Sequence, residues 1–350
     1  MNKPNLHEFE DLKIEPLIAA RPAEPRDSAR LLTLNRAGNA AKHRIFRELP
    51  DLLRAGDVLV LNQSKVWKAR LPAQKDTGGK SELLLVKPES PDLRRWSALV
   101  RKTESGRKVV CRGGAEAVCV QRNTDGSFLF DFSAPLDPVY LEKNAEVPLP
   151  GYILKARKRS EGPENSAPDE SSYQTVFANE PGSIAAPTAG FHFTPELLAR
   201  IKFRGVEVRH VTLHIGWGTF KPVRSEDPAA HTMLEEDCSV TEETASAVNA
   251  AREKGGRIIA VGTSSMRTLE TFSDDTGRLS PGTAKAGLFI YPGYRFKVAD
   301  AFITNLHVPS SAPLYMTAAF AGRERLFMAY TEAVEKKYRF YSYGDAMFIV

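Results

Sequence analysis

The chain has 350 residues, of which 42% are hydrophobic and 26% charged, and a net charge of +5. This composition excludes a disordered or fibrous protein, and no run of about 18 apolar residues is present to form a membrane-spanning helix. The length predicts two domains, or one large domain with an insert, and mild basicity suits a polyanionic partner such as RNA without requiring one.

The start, Met1 to Asp11, is polar and acidic. It has neither the basic beginning nor the apolar run of a secretory leader, so a cytoplasmic location is expected. Arg44 to Arg54 has helical spacing in Ile45, Phe46, Leu49, Leu52 and Leu53, with Pro50 inside it and Gly56 as a stop. Val58-Leu59-Val60-Leu61 is apolar on both faces and reads as a buried strand. From Trp67 to Pro150 short β-rich runs alternate with turn residues: Glu82 to Val86, Trp96 to Val100, Lys108 to Cys111, Ala117 to Gln121 and Phe128 to Phe132. Asn123-Thr124-Asp125-Gly126 is a hairpin signal. The stretch predicts a small antiparallel barrel or sandwich inserted into the main domain, with Pro148 to Gly151 as the return.

Lys155 to Ser172 is polar and reads as a mobile loop. Beyond Tyr173 strands and helices alternate. Thr194-Pro195-Glu196 opens a helix. Val206 to His214 is a strand. Ser239 and Glu242 have capping-box spacing, and the helix they begin ends at Gly255-Gly256. Arg257 to Val261 is a strand and Ser265 to Phe272 a short helix. Phe289 to Tyr291 and Ala301 to Asn305 are strands, and Leu326 to Val334 marks an amphipathic helix. Such alternation gives a largely parallel sheet or a barrel with helices outside. The domain boundaries read as 1–66 with 152–350, and 67–151.

Cys111, Cys119 and Cys238 lack CxxC spacing, which argues against a disulfide scaffold and a cysteine zinc site. No HExxH pair occurs among the 7 histidines, so no metal site is expected. There is neither GxGxxG nor GxxxxGK[ST], so the usual phosphate cradles are missing. Instead, polar glycine-rich segments fall at strand ends: Gly182 to Thr194, Thr212 to Phe220, Val261 to Glu270 and Thr304 to Pro309. Small residues there admit a ligand close to the backbone, and strand ends are where α/β sheets place ligands. Each segment alone is also an ordinary turn.

From Phe9-Glu10-Asp11-Leu12 almost to Val350 the chain resembles the S-adenosylmethionine:tRNA ribosyltransferase-isomerases of queuosine biosynthesis. The most specific pieces are Ala185 to Gly190, Tyr291 to Phe296 and Tyr338 to Met347. Arg26 to Arg30, Gly56-Asp57, Thr77 to Lys80 and Tyr173 to Val176 also match. The resemblance implies a barrel-like α/β main domain with a small antiparallel β-barrel inserted. It implies transfer and isomerisation of the ribosyl part of S-adenosylmethionine onto the aminomethyl group of a deazaguanine wobble base in tRNA, giving epoxyqueuosine and releasing adenine and methionine. S-adenosylmethionine is then a substrate, no cofactor or metal is required, and a monomer is expected.

That chemistry needs a base at the ribose 5′ carbon, acidified by the sulfonium, and an acid near the departing adenine. His192, His214, His231 and His307 have the residue type for these roles, and Asp300, Asp345 and Glu236 are carboxylate candidates. For S-adenosylmethionine the candidates are Pro187, Thr188, Ala189, Gly190, Gly216, Gly218, Thr219, Gly262, Thr263, Arg267 and Asn305. Thr188, Thr263 and Asn305 suit ribose hydroxyls, and Arg267 or Arg339 suits a carboxylate or phosphate. Arg70, Lys75, Lys80, Arg101, Lys102, Lys155 and Arg339 are candidates for tRNA. Arg339 and Asp345 have a second reading, an ion pair that pins the C-terminal strand.

The chain departs from the family pattern in motif segments. Asn62-Gln63-Ser64-Lys65-Val66 stands for Asn-Asp-Thr-Lys-Val. His231-Thr232-Met233-Leu234 lacks a second histidine. Asn305 to Pro313 loses a cation, at Ser310, and a hydroxyl, and Pro150-Gly151-Tyr152-Ile153 replaces Pro-Pro-Tyr-Ile. These changes leave two alternatives open: a diverged relative that uses another acceptor, or an RNA-binding protein without catalysis.

Overall fold

The computed structural model describes residues 6–38, 40–160, 169–220, 223 and 227–350. Two compact units are present, Met1–Lys65 with Pro150–Val350, and Val66–Leu149. The first begins with β1 (Arg30–Leu34), β2 (Ala41–Ile45), β3 (Val58–Asn62) and β4 (Ser64–Val66). The second holds β5 (Arg70–Lys75), β6 (Lys80–Pro88), β7 (Arg95–Leu99), β8 (Lys108–Cys111), β9 (Glu116–Arg122), β10 (Phe128–Phe132) and α1 (Pro138–Asn144). The first unit resumes with α2 (Gly151–Ser160), α3 (Asp169–Ser172), β11 (Glu180–Ser183), α4 (Pro195–Phe203), β12 (Glu207–Leu213), β13 (Glu236–Val240) and α5 (Glu242–Glu253). It ends with β14 (Ile258–Val261), α6 (Gly262–Thr271), β15 (Gly282–Ala286), β16 (Ala301–Asn305), α7 (Ala312–Ala321), α8 (Arg323–Glu335) and β17 (Ala346–Ile349).

The inserted unit is a closed antiparallel barrel in the order β10-β7-β6-β5-β8-β9. Alternate residues of its strands, among them Leu71, Leu83, Leu85, Trp96, Val109, Ala117, Cys119 and Phe130, face inward and form one core, as the pleat requires. The turn from Asn123 to Gly126 joins β9 to β10, with Asn123 N–H donating to the Ser127 carbonyl at 2.8 Å.

In the first unit a nine-stranded mixed sheet runs β15-β13-β12-β3-β14-β16-β17-β1-β2. β3 pairs in parallel with β12 and β14, and β14 in parallel with β16. The continuous apolar runs of these strands are explained by two cores, one on each face. Val58, Val60, Ile258, Ala260 and Phe302 pack with α5 to α8. Leu59, Leu61, Ile259, Val261 and Ile303 pack with Phe46, Leu49, Leu197 and Ile201. The four central strands therefore direct their C-terminal ends to one edge.

Local expectations differ at several points. Arg44 to Arg54 is not an α-helix: it ends β2 and continues as a 3-10 helix over Phe46–Leu52, since Pro50 has no N–H to donate. Lys155 to Ser160 belongs to α2, and 169–172 form α3. Burial of Ile153 and Ala156, with an Arg157–Asp169 fork at 2.9 and 2.6 Å, provides the packing that polarity concealed. The remainder of that expected loop, 161–168, lies outside the described residues. Ser239 sits in β13 opposite Thr212; the cap of α5 is Thr241, which accepts from Thr244 N–H at 3.2 Å. Phe289 to Tyr291 is not a strand.

Candidate active site

The shared edge of the central strands carries the polar segments. β3 is buried throughout and ends in Asn62, which cannot remain buried without partners. Its amide donates to the Leu213 carbonyl and to Ser264 Oγ, both at 3.0 Å. Its Oδ1 accepts from the Ser64 and Leu213 amides at 3.0 and 3.1 Å. Asn62 thus ties the ends of β3 and β12 to the first turn of α6. Ser64 Oγ lies 2.6 Å from Ser183 Oγ and 2.8 Å from His214 Nδ1, and Ser183 Oγ accepts from Ile215 N–H at 2.8 Å.

Beside this network Thr188 Oγ1 donates to Asn305 Oδ1 at 2.7 Å, and the Asn305 amide lies 3.4 Å from His192 Nε2. His192 is buried against Phe46, and burial lowers its pKa to about 4, so the ring is neutral. Desolvation lowers His307 to about 3; its Nε2 lies 2.6 Å from Thr304 Oγ1 and its backbone N–H donates to Tyr330. His214 is also lowered by burial, with Asp237 and Glu180 acting in the opposite sense.

A cavity of about 40 Å³ opens next to the edge, lined by Leu213, Ile215, Met233, Glu236, Thr263, Ser264, Arg267, Leu288, Phe289, Ile290, Ala312, Pro313 and Met316. One ion pair interrupts its apolar wall. Arg267 and Glu236 are 7% and 5% exposed. Arg267 Nη2 donates to Glu236 Oε2 and, at 3.2 Å, to the Ala286 carbonyl. Glu236 Oε1 accepts from Gly216 N–H at 2.6 Å. Arg267 Nε is buried and has no hydrogen-bond partner among the described residues, an unspent donor beside the cavity.

The structure gathers most of the expected site residues and separates others. Thr188, His192, His214, Gly216, Gly262, Thr263, Arg267, Asn305 and His307 lie on the segments of this edge, with Pro187, Ala189 and Gly190 buried in the loop that carries Thr188. His231 packs on the cavity-lining Phe289 at 4.7 Å between ring centroids. Gly218 lies in the 3-10 helix Trp217–Phe220; the side chain of Thr219 falls outside the described residues. Asp300 does not join the group. It precedes β16 at the opposite end of that strand from Asn305, roughly 16 Å away at strand rise, and accepts from Ile258 N–H at 2.8 Å. Asp345, fully buried, accepts from the Arg30 and Arg339 amides at 3.0 and 2.8 Å and from both guanidinium groups. It ties β1 to the C-terminal segment, as the ion-pair reading of Arg339 and Asp345 expects.

Of the basic candidates, Lys80, Arg101 and Lys102 are exposed on the inserted barrel, while Arg70 there is paired with Glu146 at 3.1 Å. Lys155 is exposed on α2. Sequence reasoning quoted Asn62 and Ser64 only in a departing motif, and Ser183 and Ser264 only within glycine-rich segments, and gave none of them a role of its own. The available signal was an abrupt polar Asn-Gln-Ser ending an apolar strand.

An α/β sheet whose parallel strands end in a buried polar network and a lined cavity, with an antiparallel barrel inserted, defines a ligand-binding protein of enzyme type. Residues 8–349 match the family model described as "Queuosine biosynthesis protein". A relative from Pelobacter propionicus, named S-adenosylmethionine:tRNA ribosyltransferase-isomerase, is 45% identical over 98% of both chains. One of the same name from Symbiobacterium thermophilum is 47% identical over 95% of this chain and 96% of its own. The crystal structure titled S-adenosylmethionine tRNA ribosyltransferase from Thermotoga maritima aligns with a TM-score of 0.53 and 36% identity over 97% and 98% of the two chains. The chain belongs to the queuosine biosynthesis protein family.

Proposed function

We propose that the protein is an S-adenosylmethionine:tRNA ribosyltransferase-isomerase. It transfers the ribosyl part of S-adenosylmethionine to a 7-aminomethyl-7-deazaguanine wobble base and releases adenine and methionine. The observation that carries the reading is end-to-end similarity to relatives of that name, at 44–47% identity over at least 95% of this chain. The site geometry agrees with it. The cavity beside Arg267 offers Leu213, Ile215, Met233 and Met316 to the methylene chain of the methionyl group. Arg267 Nε, without a partner among the described residues, is a donor for its carboxylate. Thr188 and Asn305, joined by a hydrogen bond of 2.7 Å, carry groups suited to ribose hydroxyls, which supports the reading. A cavity of about 40 Å³ is far below the roughly 300–1,000 Å³ typical of small-molecule sites, so binding opens the lining segments. S-adenosylmethionine acts as substrate, with no resident cofactor, and the protein acts as a monomer in the cytoplasm; no helix among the described residues is long and apolar enough to cross a membrane.

The test is incubation with S-adenosylmethionine and an anticodon stem-loop carrying the aminomethyl-deazaguanine. Mass spectrometry should show adenine, methionine and RNA heavier by the ribosyl group. If none of these forms while a family member works in parallel, the reading fails.

A further inference from the structure

The hydroxyl chain at the end of β3 fixes the hydrogen-bonding state of His214. Ser183 and Ser64 are both fully buried. Ser183 Oγ already accepts from Ile215 N–H, so its own hydrogen must be donated, and its further neighbour among the described residues is Ser64 Oγ at 2.6 Å. Ser64, having accepted that hydrogen, donates its own to His214 Nδ1 at 2.8 Å. The opposite polarity, with Nδ1–H donating toward Ser64, would leave one of the two serine hydroxyl hydrogens buried without an acceptor, an arrangement that costs free energy. An imidazolium would impose that same polarity, so the chain also disfavours protonation.

From this geometry we infer that Ser64 and Ser183 are positioning residues that hold His214 as the neutral Nε2–H tautomer. The ring then serves as a hydrogen-bond donor to a substrate acceptor rather than as a general base. Nε2 has no hydrogen-bond partner among the described residues, and the ring is only partly buried. Gly182 lets the ring lie in place: it has φ +154°, and a Cβ there would stand 2.5 Å from His214 Nδ1. The charged groups facing the ring are Asp237 and Glu180. The proposal rests on the functional reading above for its acceptor, which is a ring nitrogen of the departing adenine or a ribose oxygen. The tautomer itself does not depend on that reading.

Long-range proton–nitrogen correlation spectra of the histidine-labelled full chain test the tautomer directly, with His214→Gln supplying the assignment. The wild type should show Nδ1 unprotonated and Nε2 protonated at neutral pH. Ser64→Ala should mix the tautomers and lower kcat roughly ten- to hundredfold, the range seen when a metal-bound histidine loses its orienting partner, with KM little changed. Ser64→Thr, which keeps the hydroxyl, should restore both. Ser183→Ala provides the second variant if Ser64→Ala fails to fold. An Nδ1–H tautomer in the wild type, or an unchanged tautomer and kcat in a folded Ser64→Ala or Ser183→Ala variant, overturns the proposal. If the wild type shows the Nε2–H tautomer but no turnover of S-adenosylmethionine, the functional reading fails instead.

Discussion

Arg267→Met is the perturbation that best separates stability from ligand recognition. It leaves Glu236, only 5% exposed, without the guanidinium that accompanies it. Breaking a buried pair from one side typically costs about 3–5 kcal/mol, a large part of the roughly 5–15 kcal/mol that holds a domain together. At about 2–4 °C per kcal/mol for domains of some 150–250 residues, the melting point should fall by roughly 6–20 °C. Neutralising the partner should recover part of that loss. In the double variant Arg267→Met/Glu236→Gln the new amide oxygen can still accept from Gly216 N–H, and no lone charge remains. A double-mutant cycle by thermal denaturation should therefore give a coupling of about 1 kcal/mol or more. S-adenosylmethionine at about 100 times its Kd stabilises a binding-competent fold by about 2.7 kcal/mol, and the folded double variant should lose that increment. Additive losses in the cycle would refute the energetic role of the pair. Undiminished stabilisation by S-adenosylmethionine would refute Arg267 as its carboxylate partner.

Three further outcomes are expected. His192 has a folded pKa of about 4 against about 6.5 unfolded, so below pH 6.5 the unfolded chain takes up the proton first and stability falls toward pH 4. His192→Asn should flatten the slope of melting point against pH over that window, and an unchanged slope would exclude His192 as its source. Asp345→Asn places an amide against the Arg30 and Arg339 N–H groups and should cost roughly 2–3 kcal/mol, as for charged hydrogen bonds; denaturant melts check this, and a loss under about 0.5 kcal/mol would deny the pinning role. Affinity for the anticodon stem-loop should fall steeply with salt, and Lys80→Ala/Lys102→Ala should reduce the slope of log K against log salt by nearly 2. A slope that stays unchanged would remove those lysines from the interface.

What the sequence disclosed followed from short-range rules. Val58 to Leu61 announced a strand buried on both faces, and the two cores that divide its residues are the reason its alternation vanished. The barrel strands were visible because each keeps one face in and one face out between turn residues. What escaped depends on tertiary partners. Ser239 met the local spacing of a cap, yet strand pairing with Thr212 claimed it and Thr241 took the cap. Lys155 to Ser160 looked too polar to order, because the Arg157–Asp169 fork cannot be seen from composition. Within the site, histidines and glycines were legible by type. Asn62, Ser64 and Ser183 were not, because a serine has meaning only through what its hydroxyl touches. Asp300 was misplaced for a similar reason: residue type says nothing about which end of a strand faces the ligand.

Ser64, inside that buried network, keeps a hydroxyl where the family pattern has threonine; the departures at Gln63, Leu234 and Ser310 fall outside it, which argues that they are tolerated drift. Gln63 is partly exposed, points its amide at Thr212 Oγ1 at 3.2 Å and donates its backbone N–H to the Val211 carbonyl at 2.9 Å. An aspartate there could accept from the same threonine hydroxyl. Leu234 packs over Gly218, with its Cβ 2.9 Å from where a Cβ on that glycine would lie, and a histidine would keep the same Cβ contact. Ser310, at φ 55°, donates to Glu10 and accepts from Val223 N–H at 2.8 Å through its carbonyl. Each reversion, Gln63→Asp, Leu234→His or Ser310→Lys, should therefore change kcat/KM by less than tenfold, or about 1.4 kcal/mol of transition-state free energy. Asn305→Ala removes the shared partner of Thr188 and His192 and should lower it by more than that. A reversion that raises kcat/KM beyond tenfold would place its residue inside the reacting machinery and make the lost group, rather than the buried network, the determinant of rate.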